Sequence, residues 1–384
     1  MINDLIIYTP MYITFFWALV LLTSAGKKNR AKKFLGVFMV AAFLVYLSHS
    51  FFFEKKLETY LIFDPIYTLS SLSVYPLYYW YIKLLTIETT YNIKNVRMLF
   101  PAVFLCLASV VLYILMSPAD KHFYLFRFIL NGDLNGEANS VVRLQRLVFI
   151  TSRLVFAMQV VYFLFHGRKL VIRYNDRIAN FYSSLENKTI VWVNLLLYSF
   201  VATSLMGIVF NFIGRATFLN SVYLLLIPSL IFSVLLFFIG LQGYMQNYTV
   251  QDLLLDEKQQ PNINTKEYNL IQLKEKLLFL FSEQKIYKQP DLKITHVSSE
   301  LQTNRTYVSN LINQEFSCSF SEFVNEYRII EAKKLLVEKD SKNYSLDFIS
   351  EAAGFGSINT FIRVFKEFEE TTPGKYRDNF ISQI

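Results

Sequence analysis

Seven stretches of mostly apolar residues run through the first two-thirds of the chain, at 5–24, 34–53, 60–85, 98–116, 147–166, 190–213 and 218–243. Each is close to the roughly 20 residues that a helix needs to cross a bilayer. One such run could be a buried core helix, but a soluble core of this size does not bury seven helices that are apolar all round. The pattern therefore predicts seven transmembrane spans. Past Gly243 the texture changes. Residues 244–264 are polar, with Pro261, and read as a helical exit followed by a linker. Over 266–282, Leu270, Leu273, Leu277, Leu280 and Phe281 recur at helical spacing and predict an amphipathic helix. Its apolar stripe can pack on the domain that follows or on its twin in a second chain. The expected fold is all-α, with a seven-helix transmembrane bundle over 1–243, a linker and amphipathic helix over 244–290, and a soluble domain over 291–384.

Composition sharpens this picture. Of 384 residues, 53% are hydrophobic and 18% charged, whereas ordinary globular chains carry about 25% charged residues. Disordered, collagen-like and disulfide-scaffold classes are excluded. Cys106 and Cys318 lie too far apart, in surroundings too different, to suggest a disulfide frame or a zinc cluster. The net charge of +8 would ordinarily suggest nucleic acid, but its distribution says otherwise. Up to Gly243 there are 21 Lys and Arg against 10 Asp and Glu; beyond it there are 17 against 20. The basic excess lies wholly in the apolar part, as cytoplasmic loops of a membrane protein require.

Those loops also predict an orientation. Lys27, Lys28, Arg30, Lys32, Lys33, Lys83, Lys94, Arg97, Arg168, Lys169, Arg173, Arg177 and Lys188 fall on one side of the expected spans. Lys55, Lys56, Lys121, Arg127, Arg143, Arg146 and Arg215 fall on the other. The richer side is expected in the cytoplasm, so the N-terminus is outside and, after seven crossings, the C-terminal part is inside. The first span has no basic stretch before it and reads as a retained helix, not a cleaved signal. The expected location is the bacterial cytoplasmic (inner) membrane. Within the spans, His49, Asp64 and Arg153 all fall toward the outer face in this topology. Such groups usually face the bundle interior. They read either as a structural Asp64–Arg153 ion pair or as a polar ligand pocket open to the outside. Tyr75, Tyr78, Tyr79, Trp80 and Tyr81 read as an interfacial aromatic belt at the end of the third span.

From Asp291 onward the pattern becomes specific. A short amphipathic helix over 294–301 is followed by a turn at Gln302 and Thr303, with Asn304 a good N-cap. A second helix over 305–315 turns Val308, Leu311 and Ile312 inward. This is a helix-turn-helix, whose second helix enters the major groove. The arrangement returns about fifty residues later, with 345–353, the turn Gly354-Phe355-Gly356, and 357–368. Between the two motifs, 320–337 predicts one continuous helix with Phe320, Phe323, Tyr327 and Ile330 on one stripe. Eighteen residues at 1.5 Å span about 27 Å, near the roughly 34 Å between successive major-groove faces.

Here the chain resembles a known family. The run Arg328-x-x-x-Ala332-x-x-Leu335-Leu336, then Ala353-Gly354-Phe355-x-Ser357-x-x-Thr360-Phe361-x-Arg363-x-Phe365-Lys366, closing on Thr372-Pro373-x-x-Tyr376-Arg377, is similar to the AraC/XylS-type DNA-binding domain. It covers about ninety residues. The whole architecture resembles the membrane-embedded AraC-type regulators, in which a multi-span region replaces a soluble sensor. Ser317 and Glu370 stand where Gly is common in that family, both at helix ends where Gly supplies positive φ.

The resemblance implies base-reading roles for Thr306, Ser309 and Asn310 in the first motif, and for Ile358, Asn359, Ile362 and Arg363 in the second. The chemistry is suitable, because Arg bridges guanine O6 and N7, Asn pairs with adenine, and Ile meets a thymine methyl. Arg305, Lys366 and Lys375 are expected to contact phosphates, which set register without reading sequence. The expected function is a membrane-bound, sequence-specific transcription regulator. Its expected partners are double-stranded promoter DNA, the lipid bilayer, RNA polymerase, a second copy in a homodimer and an unidentified signal molecule. The alternative is a transporter or receptor whose C-terminal domain docks proteins, favoured by that domain's negative charge. An enzyme has little support: His49, His122, His166 and His296 are scattered, and there is no Gly-rich phosphate loop, cofactor motif or metal-spaced cluster.

Overall fold

The protein is described here by a computed structural model covering residues 2–24, 29–130, 138–186, 188–190, 193, 222–258, 270–338 and 344–381. Among the described residues all extended regular elements are helices. The expected sixth span lies outside them except for Ile190 and Val193, as do Lys27, Lys28, Arg215 and the first turn of the 266–282 helix. The chain divides into two compact units, Met1–Val171 with Ile190–Gln251, and Ile172–Thr189 with Asp252–Ile384.

The first unit contains α1 (Ile2–Ser24), α2 (Arg30–Phe53), α3 (Leu57–Thr86), a 3-10 stretch (Ile93–Leu99), α4 (Phe100–Leu115), a short α5 (Pro118–Phe123) with π-type turns after it, most of α6 (Ser140–Ala179) and α7 (Leu226–Met245). Among the described residues, five segments are long and apolar enough to cross a membrane: Asp4–Ser24, Arg30–Phe53, Ile93–Leu115, Ser140–Ala179 and Tyr223–Glu257. The expected third span forms the 30-residue α3, which is rich in Tyr, Ser and Thr and is not among these five. α3 packs between α2 and α4, α2 packs on α1, and α1 packs on α7. α6 meets α3 through Phe156 against Tyr75 and Phe163 against Tyr79. Gly240 lets α7 close on α1, since a Cβ there would lie 2.2 Å from the Trp17 indole.

The aromatic-belt reading of α3 is overturned. Tyr75, Tyr78, Trp80 and Tyr81 are buried within the protein, and only Tyr79 is half-buried. α3 has helices on several sides, so these rings pack against protein: Trp80 meets Phe34, and the Tyr78 hydroxyl reaches the Val193 carbonyl.

The second unit contains α8 (Val250–Lys258, from Asp252), α9 (Leu270–Ser282), α10 (Ile294–Glu300), α11 (Arg305–Glu315), α12 (Phe320–Val337), α13 (Leu346–Ala352), α14 (Ile358–Glu369) and α15 (Pro373–Ile381). Of the two partners open to α9, the observed one is the following domain: Leu273, Leu277, Leu280 and Phe281 are buried, and Phe281 meets Phe323 and Tyr327 of α12. α12 touches α11, α13, α14 and α15, so one helix supports both helix-turn-helix motifs. The expected stripe on α12 needs one correction. Ile330 is 47% exposed; Ile329, Ala332 and Leu336 take the core positions beneath the second motif.

Candidate nucleic-acid interface

Both recognition helices are built by local rules. Asn304 caps α11, its side chain accepting from the Thr306 N–H at 2.9 Å. The turn before it places Gln302 at φ 54°. Val308, Leu311 and Ile312 anchor α11 from beneath. In the second motif Ser357 caps α14 through the Thr360 N–H, and Phe361, Val364 and Phe365 are buried. The two positions where the family's Gly is replaced, Ser317 and Glu370, both adopt φ 55°. The backbone thus keeps the left-handed turn without the residue that enters it most easily.

The expected base-reading side chains lie on the open faces of these helices. Thr306, Asn310, Asn359 and Arg363 are exposed, while Ser309, Ile358 and Ile362 are half-buried at the edges of the same faces. Arg363 lies near Glu367 one turn on, at 3.4 Å, an exposed pair of the kind that contributes little. Of the expected phosphate contacts, Lys366 and Lys375 are exposed. Arg305 is not free in the same way, since its guanidinium pairs with Glu257 at 2.9 Å.

The two motifs are locked together through the segment before the first. Arg328 of α12, only 1% exposed, donates from Nε to the Tyr287 carbonyl at 2.8 Å and from an Nη to the Gln289 and Pro290 carbonyls at 2.7 and 3.3 Å. Gly354, in the turn of the second motif, lies against the same segment, with φ 92°.

A second set of contacts had no counterpart in the sequence reading. The end of α6 from Ile172 and the stretch after it to Thr189 belong to this unit, and the described residues of that stretch form a strap on it. Tyr182 forms an isolated antiparallel bridge with Lys293; the Ser183 N–H donates to the Leu292 carbonyl and the Ile294 N–H to the Phe181 carbonyl, each at 3.0 Å. Phe181 and Tyr182 are buried. Ser183 accepts from Arg328 at its hydroxyl and from Ser321 at its carbonyl. The one available signal was compositional: two adjacent aromatic rings inside a loop expected to be solvated.

Beside the strap, a cleft of about 200 Å³ is lined by Arg177, Asn180, Phe181 and Glu257 together with Ile294, Arg305, Thr306, Ser309 and Asn310. Glu257 is held between Arg305 and Arg177. Burial pushes its carboxyl upward, but hydrogen bonds from the two arginines outweigh that and leave it below the usual range. At the second motif, Glu186 accepts from the Thr360 and Ser357 hydroxyls, which hold its carboxyl below the usual value.

In the first unit, Asp64 is 4% exposed and accepts from the Tyr60 and Tyr113 hydroxyls at 2.9 and 2.8 Å. The Arg153 guanidinium lies 3.9 Å from the centre of the Phe149 ring. Phe149 packs on the cluster that contains Tyr60 and Tyr113, so Asp64 and Arg153 border one cluster. His49 sits against Tyr67, Tyr46 and Phe53.

Comparison with known proteins bears on the second unit. A family described as "Helix-turn-helix domain" matches residues 297–379. The probable transcription factor PqrA of Proteus vulgaris is 31% identical over 97 residues, 25% of this chain and 77% of that protein. The uncharacterized HTH-type transcriptional regulator YtdP of Bacillus subtilis is 35% identical over 89 residues, 23% of this chain but only 11% of that protein. The regulatory protein PocR of Salmonella typhimurium is 30% identical over 87 residues, 23% of this chain and 28% of that protein. No solved structure matches. The similarity to these regulators falls on the two motifs whose geometry is described above. The chain belongs to the AraC-type family of helix-turn-helix transcription regulators.

Proposed function

We propose that this chain is a membrane-bound regulator that reads double-stranded promoter DNA through α11 and α14 and couples that reading to a signal at the bacterial inner membrane. The observation that carries the proposal is the pairing of two helix-turn-helix motifs on one supporting helix, each presenting side chains suited to base edges. The apolar helices of the first unit support membrane placement. The Asp64, Arg153 and His49 region is the candidate place for the signal to act. RNA polymerase is the expected downstream partner. A second copy held through the membrane part would raise affinity by effective concentration.

The test is a binding-site selection with the full-length protein in detergent, using wild type, Arg363→Ala and Lys366→Ala. Arg363 lies opposite the buried Phe361, Val364 and Phe365, so its removal should leave folding unchanged. Loss of one bidentate base contact is expected to cost about 1–3 kcal/mol and relax preference mainly at one base pair. Lys366→Ala should weaken all sequences alike and lower the salt slope by about 1. Unchanged preference and affinity in Arg363→Ala would remove that residue from the readout. A wild-type protein with no sequence preference would instead favour a protein-docking role for the second unit.

Topology has its own test. With Cys106 and Cys318 replaced, an impermeant thiol reagent added outside intact cells should label Ala119→Cys and spare Asn92→Cys, both exposed positions. The reverse pattern would overturn the expected orientation, which rests on the basic loops.

A further inference from the structure

The strap has a consequence for how the second unit meets DNA. Helix-turn-helix proteins place helix N-termini and nearby Arg or Ser/Thr side chains against backbone phosphates. In this chain both such places hold carboxylates of its own. At the start of α14, Glu186 accepts from the hydroxyls of Ser357 and Thr360, where the helix dipole favours an anion. At the start of α11, Glu257 pairs with Arg305, the side chain expected to meet a phosphate, and Arg177 clamps the same carboxylate from the strap side. Spanning from one helix to the other, Phe181 lies against the Arg305 guanidinium and Ser183 is tied to Arg328.

We propose that the 172–189 strap and the acidic end of α8 act as an intramolecular mimic of the DNA backbone, with Glu186 and Glu257 occupying the phosphate positions of both recognition helices, so that strap docking and DNA binding exclude each other. The inference rests on the DNA-reading function proposed above. Three features favour a competitor over a passive brace. First, the carboxylates meet the recognition helices at their N-termini, and not at the buried faces where a brace would act. Second, the cleft beside the strap is lined by Thr306, Ser309 and Asn310, three of the expected base-reading residues. Third, the strap runs at both ends, Val171 and Ile190, directly into the first unit. Movement of those two ends would therefore act on the contacts at the starts of α11 and α14.

The arithmetic is that of a binding-competent fraction. If the strap is docked nine-tenths of the time, apparent DNA affinity is lowered about tenfold, and removing the competitor restores it. The experiment uses the full-length protein in detergent and the DNA sequence that it selects. Glu186→Gln with Glu257→Gln keeps the shape of both side chains and removes the charges that stand in for phosphates. This double variant should bind about tenfold more tightly than wild type. A second double variant, Glu275→Gln with Glu283→Gln, removes the same charge from exposed positions at α9 and should change affinity far less. Hydrogen exchange on the unmutated protein supplies an independent arm. The amides of Ser183 and Ile294, protected by their bonds to Leu292 and Phe181, should exchange faster once DNA is bound.

Equal affinity of wild type and the Glu186/Glu257 variant, or a gain matched by the α9 variant, would overturn the competitor role. So would undiminished protection of Ser183 and Ile294 in the DNA complex. A wild-type protein and variant that both bind DNA without sequence preference would count against the proposed function itself, which separates the two failures.

Discussion

Arg328→Ala should destabilise the second unit by about 3–5 kcal/mol, the largest single-residue effect expected in this chain. The side chain is almost wholly buried and satisfies the carbonyls of Tyr287, Gln289 and Pro290 together with the Ser183 hydroxyl. Its guanidinium also lies 5.6 Å from the centre of the Phe355 ring, in the turn of the second motif. Alanine leaves those acceptors buried without their donor, at about 1–3 kcal/mol for each group that water cannot reach, and opens a cavity beneath Phe355. Arg328→Lys should recover only part of the loss, because one ammonium cannot match the spacing of a planar fork. Hydrogen exchange of the α12 amides is the measurement. These amides report the opening of the unit directly, which whole-chain melting of a two-unit protein does not. Wild-type exchange in Arg328→Ala would show that this network contributes little.

Gly354→Ala should cost about 2–5 kcal/mol and abolish site-specific DNA binding, because it separates the two motifs. Two costs add. At φ 92° an L side chain is strained, and a Cβ would stand 2.6 Å from both the Tyr287 carbonyl oxygen and the Lys288 Cα. Those are backbone atoms, so no rotamer change relieves the contact. The segment that Arg328 grips would have to move away from the turn of the second motif. Gly356→Ala is the matched control: its nearest neighbour would be the Pro290 Cβ at 3.8 Å, an ordinary contact. Exchange at α12 together with DNA binding by the two variants tests the claim. Equal behaviour of Gly354→Ala and Gly356→Ala would remove the steric argument.

These two residues show how legible the chain was. Arg328 and Gly354 both stand in the motif that carries the family resemblance, so their importance was readable. Their common partner, the 287–290 segment, was not. It has no periodic pattern, and its carbonyls become obligatory only when α12 and the second turn are brought against it. Ile330 illustrates the opposite error. It sits three residues after Tyr327 and continues an apolar stripe by spacing alone, yet the core beneath the second motif is filled by Ile329, Ala332 and Leu336. The helix has partners on several sides, so no single stripe describes it. The same reason accounts for the tyrosines of α3: ring composition resembles an interfacial belt, but the helices packed on α3 make it an interior.

By itself the sequence determined the all-helical character, the bounds of α11 and α12, the Asn304 cap and the exposed faces of the two recognition helices. Capping, left-handed turns and the i, i+3, i+4 stripe act within a few residues, so they can be read from neighbouring letters. Tertiary structure alone decided that residues 172–189 join the second unit and set two carboxylates at the starts of its recognition helices. Ser183 and Arg328 are 145 residues apart, and Glu186 and Thr360 are 174 apart. No local periodicity reports such a meeting. It depends on Phe181 and Tyr182 being buried beside Leu292, Lys293, Ile294 and Arg305, all more than a hundred residues away in the chain.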